Sequence, residues 1–145
     1  MSVRHFTSND ADWYQYRDRE IFVGDVLNSS NSETMSVGFY RNKFKGERNE
    51  WVVTYDEALI CTRGALTVRS PEGTTTAKAG EVIFLTKGTR VAYEAGEDNT
   101  EVVYVTYPHW MDVHRQSEYA ELLDDFHPAI EKEQAHESIR SYTTS

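Results

Sequence analysis

The feature that most constrains the fold of this chain is a succession of short β-type segments separated by turn signals. The sequence predicts strands over residues 20–27, 35–44, 51–61, 65–69, 74–78, 82–85, 91–95 and 101–107. Residues 70–73, Ser-Pro-Glu-Gly, are typical of a hairpin turn. Residues 82–85 are continuously apolar, which is typical of a buried strand. Many short strands at this spacing predict an all-β sandwich or barrel.

The pattern changes after Pro108, where apolar residues recur at helical spacing. Ser117 can cap a helix that continues to about residue 126. The apolar positions of this helix are Tyr119, Leu122, Leu123 and Phe126. Pro128 can begin a further turn or two of helix, and residues 141–145 are expected to fray.

The length of 145 residues allows one domain with a real core and leaves little room for a second. We therefore expect a β-barrel with an N-terminal arm over residues 1–110, and a helical tail packed on or near the barrel over residues 111–145. The arm carries three aromatic residues close together, Trp13, Tyr14 and Tyr16. The single cysteine, Cys61, excludes an internal disulfide and is expected to pack as a small apolar side chain.

The formal net charge of the chain is −9. Nucleic acids and anionic membrane surfaces bind clusters of Lys and Arg, and this sequence has no such cluster. No apolar run approaches the roughly 18 residues that a membrane-spanning helix needs, and the N-terminus has no secretory pattern. We therefore expect a cytoplasmic protein that binds a small molecule, with no nucleic-acid and no membrane partner.

Two groups of residues have a spacing that is typical of one family of β-barrels. The first is Gly46, Glu57 and Gly64, and the second is Gly80, the turn Thr86-Lys87-Gly88, and Val91. Glycines suit these places because tight turns between strands need positive φ or close backbone approach. The frame resembles the two motifs of the cupins. This resemblance implies an all-β double-stranded β-helix, a jelly-roll barrel of the RmlC-like kind, here with a short C-terminal helical tail.

The histidines of the cupin motifs are missing from this frame. The first motif has Trp51 and Val53 in their place, or Glu50 and Val52, and the second has Val91. A divalent metal of the usual cupin kind needs several imidazoles and a carboxylate. The histidines of the chain are scattered, and each is predicted to lie at the surface or to cap a turn: His5, His109, His114, His127 and His136. We therefore predict no metal site and no cofactor.

Three segments narrow the resemblance to the ethanolamine-utilisation protein Q (EutQ) branch of the cupins. They are residues 51–57 (Trp-Val-Val-Thr-Tyr-Asp-Glu), 77–82 (Ala-Lys-Ala-Gly-Glu-Val) and 107–110 (Tyr-Pro-His-Trp). Thr86 stands where the branch usually has a proline. An acetate kinase activity is attributed to enteric members, so the resemblance implies kinase chemistry in ethanolamine utilisation as one alternative. The chain has no Gly-rich phosphate loop, which argues against that alternative.

A single barrel leaves the edges of its sheets exposed, and a strand from a second chain commonly covers such an edge. We therefore expect a homodimer, with the arm around Trp13 and Tyr16 as the covering segment.

Glu57 is the residue that most strongly indicates chemistry. Regular alternation along residues 51–59 places Trp51, Tyr55 and Glu57 on one face of a strand. A carboxylate on the barrel-lining face would have a raised pKa and could act as a general acid or base near neutral pH. Val91 precedes Tyr93 by two residues, so both side chains are expected on the inward face of their strand. We predict Glu57, Tyr55 and Tyr93 as catalytic residues.

Three further residues are predicted to bind the ligand: Trp51 as an apolar wall, Tyr104 as a hydrogen-bond donor, and Arg41 as the partner of a substrate carboxylate. Arg41 shares its strand parity with Val37 and Phe39, so its role depends on that face lining the barrel. In the alternative interpretation the aromatic residues only fill the core, Arg41 faces solvent, and Glu57 only accepts structural hydrogen bonds.

The function that the sequence favours is binding of a small polar molecule in the barrel. If the protein is an enzyme, we expect a metal-independent isomerase or lyase that transfers a proton through Glu57, with a tyrosine assisting. The alternatives are a non-catalytic binding or accessory cupin and the acetate-kinase-like enzyme.

Overall fold

The computed structural model describes residues 2–129, which form two antiparallel sheets around an apolar core. The strands are β1 (Asp12–Tyr16), β2 (Ile21–Leu27), β3 (Ser36–Asn42), β4 (Arg48–Val52), β5 (Asp56–Arg63), β6 (Ala65–Ser70), β7 (Gly73–Lys78), β8 (Val82–Leu85), β9 (Arg90–Ala95), β10 (Thr100–Tyr107) and β11 (Phe126–Pro128). A short helix, α1 (Trp110–Arg115), follows β10, and single 3₁₀ segments cover Ser8–Asp10 and Ala120–Asp125. The all-β prediction is confirmed.

The larger sheet has the strand order β11-β1-β2-β3-β10-β5-β8, and the smaller has the order β4-β9-β6-β7. The sequence predicted one strand over residues 51–61, and this is wrong. β4 belongs to the smaller sheet and β5 to the larger one, so residues 53–55 carry the chain from one sheet to the other. Val53 in this crossing is fully buried, which explains why the apolar pattern runs on through the break.

The core lies between the sheets and takes alternate residues from each strand. In β10, for example, Val102 and Tyr104 are buried while Val103 and Val105 are half-buried on the outer face. A second apolar cluster lies outside this core, where Trp13 of β1 packs with Phe22, Val26 and Ala11. The N-terminal arm therefore covers the outer face of its own larger sheet.

Strand β8 is only half-buried, although its four residues are all apolar. It forms one edge of the larger sheet, and Ile83 and Leu85 face the core while Val82 and Phe84 are about 60% exposed. The prediction of a buried strand therefore holds for one face only, because this edge strand of a two-layer fold has one face without a covering layer.

The helix predicted from Ser117 to about residue 126 is also wrong. The α-helix begins at Trp110, and residues 120–125 form a 3₁₀ segment. Phe126 then packs against Trp51 and Tyr16, which requires the chain to extend, and β11 pairs with β1. Pro128 ends this strand. The remainder of the helical tail, with the frayed end predicted for residues 141–145, lies outside the described residues.

The arm that was expected to reach a second chain is paired within its own chain. β1 lies between β2 and β11, and Tyr14 is opposite Val23 on one side and Pro128 on the other. Among residues 2–129, no helix is long and apolar enough to cross a membrane.

Candidate functional site

A cavity between the two sheets collects most of the residues predicted from the sequence. It has about 480 Å³ of space, including the part that opens to solvent. It is lined by Val23, Tyr40, Asn49, Trp51, Tyr55, Glu57, Leu59, Leu66, Tyr93, Tyr104, Trp110 and Phe126. The walls are thus mainly aromatic and aliphatic, with a few polar groups, which is the usual composition of a small-molecule site.

Glu57 is the carboxylate of this cavity. It is the second residue of β5, opposite Thr106 of β10 and Leu85 of β8, and it is only 5% exposed. The hydroxyl of Tyr93 donates a hydrogen bond to Glu57 Oε1 at 2.6 Å. No described residue donates a hydrogen bond to Oε2, so one oxygen is held by the protein and the other is available to a ligand.

Burial raises the pKa of Glu57 from 4.5 to about 7, and the hydrogen bond from Tyr93 opposes this rise. Desolvation disfavours the ionised carboxylate, while a donor to the carboxylate favours it. A carboxyl group with a pKa near 7 populates both protonation states at neutral pH, which suits a general acid or base.

Trp51 of β4 and Tyr55, the last residue of the crossing between the sheets, meet in the cavity. The indole Nε1–H of Trp51 donates to the Tyr55 hydroxyl at 2.8 Å. Burial raises the pKa of Tyr55 well above 10, with the nearby charge of Glu57 acting in the same direction. Tyr55 is therefore a neutral phenol whose oxygen already accepts a hydrogen bond, so its own O–H is free to donate to a ligand.

Tyr104 is held by a second buried carboxylate. Its hydroxyl donates to Asp25 Oδ1, and the indole Nε1–H of Trp110 donates to the same oxygen at 2.8 Å. Burial raises the pKa of Asp25, and these two hydrogen bonds oppose the rise. Asp25 thereby orients two aromatic walls of the cavity.

Asn49 is a cavity residue that the sequence reasoning missed. The Tyr40 hydroxyl donates to Asn49 Oδ1 at 3.3 Å and accepts from the Asn42 amide at 3.1 Å. Asn49 is 3% exposed and lines the cavity, which leaves its amide N–H groups as donors toward a ligand. Because Asn49 precedes Trp51 by two residues on β4, strand parity could have identified it.

His114 packs against Trp51, which forms one wall of the cavity. Its ring stacks on Trp51 with centroids 4.1 Å apart and planes 15° from parallel. Nε2 donates to the Tyr119 carbonyl at 2.9 Å, which leaves Nδ1 to accept from the Thr54 hydroxyl at 3.2 Å. His114 is fully buried, and this burial lowers its pKa. The prediction of a surface histidine is wrong here, since the aromatic stack and two hydrogen bonds compensate for burial.

The structure brings five of the predicted site residues to one cavity: Glu57, Tyr55, Tyr93, Trp51 and Tyr104. Arg41 is not among them. It lies on the other face of β3, where its guanidinium is 5.2 Å from the Trp13 ring centroid and its Nε donates to Glu101 Oε2 at 2.8 Å. The residue of β3 that lines the cavity is its neighbour Tyr40, because successive strand residues point to opposite faces.

The donor set at the cavity does not fit a metal ion. Where the cupin frame has histidines, this chain has indole and aliphatic side chains, and the buried His114 uses both ring nitrogens in hydrogen bonds. Within residues 2–129 there is no group of three or more His, Cys, Asp or Glu residues that could hold a metal.

The motif glycines occupy the turns that the frame requires. Gly64 and Gly88 have φ of +71° and +98°, in the left-handed region that favours glycine. A Cβ on Gly64 would lie 2.6 Å from Thr100 Oγ1, so this turn also needs the absence of a side chain.

Comparisons with known proteins agree with the geometry. A family model described as Ethanolamine utilisation protein EutQ matches residues 8–112. Acetate kinase EutQ of Escherichia coli is 30% identical over 86 residues, which are 58% of this chain and 35% of that protein. This chain spans 35%, 38% and 54% of three curated relatives with that description.

Solved structures show the same barrel. The Clostridium difficile EutQ protein is 26% identical and superimposes with a TM-score of 0.58 over 68% of this chain and 70% of that one. The cupin domain of Schizosaccharomyces pombe Cnp3 is 10% identical, with a TM-score of 0.59 over 79% of this chain and 80% of that one. The cupin fold predicted from the sequence is confirmed.

Proposed function

The chain belongs to the EutQ family of cupins, and on that premise we propose that it binds a small polar molecule between its sheets and moves a proton on it without a metal. The observation that carries the proposal is Glu57, a buried carboxyl group with a pKa of about 7, one oxygen held by Tyr93 and the other open to the cavity. A carboxylate is costly to bury, and perturbed groups of this kind concentrate at functional sites.

The roles follow from the hydrogen bonds. Glu57 Oε2 takes the proton as general base, or gives it as general acid, while Tyr93 holds Oε1. The Tyr55 O–H donates to the substrate oxygen on which negative charge develops, since Trp51 already occupies the acceptor side of that hydroxyl. The Asn49 amide, held through Tyr40, is a second donor of this kind.

The matching substrate class is a small molecule with a C–H bond next to a carbonyl group. A base with a pKa near 7 and two neutral donors suit the formation and reprotonation of an enol, which is the chemistry of isomerases and many lyases. No Lys or Arg is among the described residues that line the cavity, so the site favours a substrate without a phosphate group.

Proton exchange with solvent tests this function without knowledge of the natural substrate. Small hydroxyaldehydes, hydroxyketones and keto acids are incubated with the protein in D₂O, and loss of the C–H signal next to the carbonyl is followed by ¹H NMR. We expect exchange of at least one compound, and we expect Glu57→Gln to slow it by about 10²–10⁴-fold, the usual contribution of a general base.

The matched control is Glu72→Gln, since Glu72 is an exposed residue of the β6–β7 turn. If the Glu57→Gln protein is folded and exchanges every compound as fast as the original protein, the acid–base role is refuted. Saturable binding of a compound that never exchanges would instead support the alternative of a non-catalytic binding cupin.

The acetate-kinase alternative has one observation in its favour, the name of the curated relatives. Kinase chemistry consists largely of holding phosphate groups with Mg²⁺, Lys and Arg, and the described cavity lining has neither Lys nor Arg. Formation of acetyl phosphate from acetate and ATP by the purified chain, at a rate that Glu57→Gln alters, would replace our proposal by the kinase.

The homodimer and the cytoplasmic location stay predictions. Light scattering coupled to size exclusion measures the first, with a mass near twice 16.7 kDa expected for a dimer. Fractionation of expressing cells measures the second.

A further inference from the structure

A second cavity lies on the other side of the Tyr104–Trp110 wall. It has about 670 Å³ of space, including the part open to solvent, and it shares Val23, Tyr104 and Trp110 with the first cavity. Its lining is more polar and includes the carboxylates of Asp12, Asp25 and Asp112. The proton-transfer function proposed above makes no use of this space.

Asp25 is the buried group of the second cavity. It is 8% exposed, and both of its hydrogen bonds, from Tyr104 and Trp110, go to Oδ1. Within the described part of the chain no donor reaches Oδ2. Asp25 as a residue is largely buried, and buried polar groups normally have partners. Its Oδ2 on the cavity wall therefore marks a place for a ligand donor.

The charges around Asp25 determine the kind of ligand. Asp12 of β1 is directly opposite Asp25 of β2, and cross-strand partners place their side chains on the same face. Like charges in such a pair destabilise a sheet. Asp112 adds a third carboxylate, and the basic residues of the described lining are His109 and the exposed Arg115. The charges of Asp12 and Asp112 also raise the pKa of Asp25, behind the larger effect of burial.

We propose that the second cavity binds a small organic cation, with an ammonium group hydrogen-bonded to Asp25 Oδ2 and attracted by the carboxylates of Asp12 and Asp112, which line the same cavity. An ammonium group carries three N–H donors and a positive charge, so it would satisfy the open oxygen and relieve the repulsion between the facing aspartates. A bare metal ion fits less well, because the described acidic and histidine side chains form no group that could hold one.

The direct link between Trp110 and Asp25 provides the readout. Each of the three tryptophans in the chain donates its indole N–H to a different acceptor: Trp13 to the Ser8 carbonyl, Trp51 to Tyr55, and Trp110 to Asp25. In a ¹H–¹⁵N spectrum the Trp13 signal reports on the outer surface. Trp51 lines the first cavity alone and Trp110 lines both cavities, so a shift of Trp110 without a shift of Trp51 reports on the second cavity. Binding at Asp25 should move the Trp110 signal most.

The experiment titrates the ¹⁵N-labelled full chain with n-propylammonium chloride, and in parallel with 1-propanol and with sodium propionate. We expect saturable shifts centred on Trp110 with the ammonium alone. Asp112→Asn should weaken this binding by about tenfold, in the range expected for loss of a charged partner. Asp18→Asn, which makes the same change at an exposed position outside the cavity, should leave the affinity unaltered.

Three results would each overturn the proposal: no saturation by the ammonium, equal binding of 1-propanol, or no weakening in Asp112→Asn. If Glu57→Gln abolishes binding and Asp112→Asn does not, the cation binds in the first cavity. This result would also overturn the proposal. Asp25→Asn removes the anchor of two core side chains and can fail to fold, so Asp12→Asn serves as the second variant.

Discussion

The hydroxyl of Tyr93 donates to Glu57 Oε1 at 2.6 Å, and the two residues belong to different sheets. This hydrogen bond therefore joins the two layers of the barrel at the place where the candidate chemistry occurs. Both side chains are almost completely buried, so the bond is neither weakened by water nor easily replaced by it. Changes to either partner should alter stability and protonation together.

Replacement of Glu57 by Gln should change the pH dependence of stability. Below pH 4.5 the carboxyl group is protonated in both the folded and the unfolded chain. Between pH 4.5 and about 7 only the unfolded chain releases its proton, so the free energy of unfolding falls as the pH rises. At ~1.4 kcal/mol per pH unit, this loss reaches about 3 kcal/mol above pH 7.

Urea unfolding of the original and the Glu57→Gln proteins between pH 4 and 8 measures this effect. The difference between the two proteins removes the contributions of other groups, including Asp25. The free energy of unfolding of the variant, relative to that of the original protein, should increase as the pH rises. A difference that stays constant with pH would show that the pKa of Glu57 is not raised.

Tyr93→Phe should raise the pKa of Glu57 above its value of about 7. The hydroxyl of Tyr93 stabilises the ionised carboxylate, and burial remains when it is removed. We expect a loss of about 1–3 kcal/mol in stability, the cost of a buried acceptor without its donor. Carboxyl ¹³C NMR follows the titration, and Tyr107→Phe at a position 63% exposed is the control. An unchanged titration would mean that the hydrogen bond does not form in solution.

His114 should make the original protein less stable at acid pH, and His114→Gln should abolish this pH-dependent loss. Burial lowers the pKa of His114 below 6.5, so the unfolded chain takes up a proton first as the pH falls. The contribution of His114 to the free energy of unfolding is therefore complete above pH 6.5 and becomes smaller as the pH falls below 6.5. The variant should be less stable than the original protein at pH 8, because the stack on Trp51 is lost, and this deficit should shrink toward pH 5.

Chemical unfolding at pH 5, 6 and 8 measures the deficit, with His5→Gln at an exposed position as control. A deficit that is the same at all three pH values would contradict a neutral buried imidazole.

Arg41→Met should lower stability and leave the candidate site intact. The Arg41 side chain is 6% exposed and pairs with Glu101 at 2.7 Å. Its removal leaves the Glu101 carboxylate with the Thr62 hydroxyl but without its cation, at a cost of about 3 kcal/mol. Proton exchange and ligand shifts should stay within about twofold of the original protein, as for residues outside the reacting groups. Arg69→Met, in a more exposed pair with Glu94, should cost clearly less. If Arg41→Met folds but loses proton exchange, Arg41 contributes to the candidate site after all.

Much of the fold could be predicted from the sequence because its signals are local. Turn glycines such as Gly64 and Gly88, and the alternation in strands such as β10, depend only on neighbouring residues. The crossing at Val53 was missed for the same reason. A buried residue in a connection between sheets is as apolar as one in a strand, so the pattern alone does not show where a strand ends.

The candidate site was predicted in part. Strand parity placed Tyr55, Glu57 and Tyr93 on inward faces, and they line one cavity. Parity could not decide which face of β3 is inward, since both carry large side chains, and so Arg41 was chosen where Tyr40 is the lining residue. Trp110 and Phe126 follow the last long strand. The apolar spacing of the tail predicted packing on or near the barrel, but no local pattern indicated that these two rings line the cavity.

The sequence by itself determined the cupin barrel, its turns, the absence of the motif histidines and the carboxylate that stands within the frame. Only the tertiary structure decided which groups surround that carboxylate, that Asp25 anchors Tyr104 and Trp110, and that His114 is buried behind Trp51. The reason is physical. Turns and alternation are set by residues next to one another in the chain, whereas a site is set by contacts such as Asp25–Trp110, 85 residues apart, which exist only after the sheets have packed.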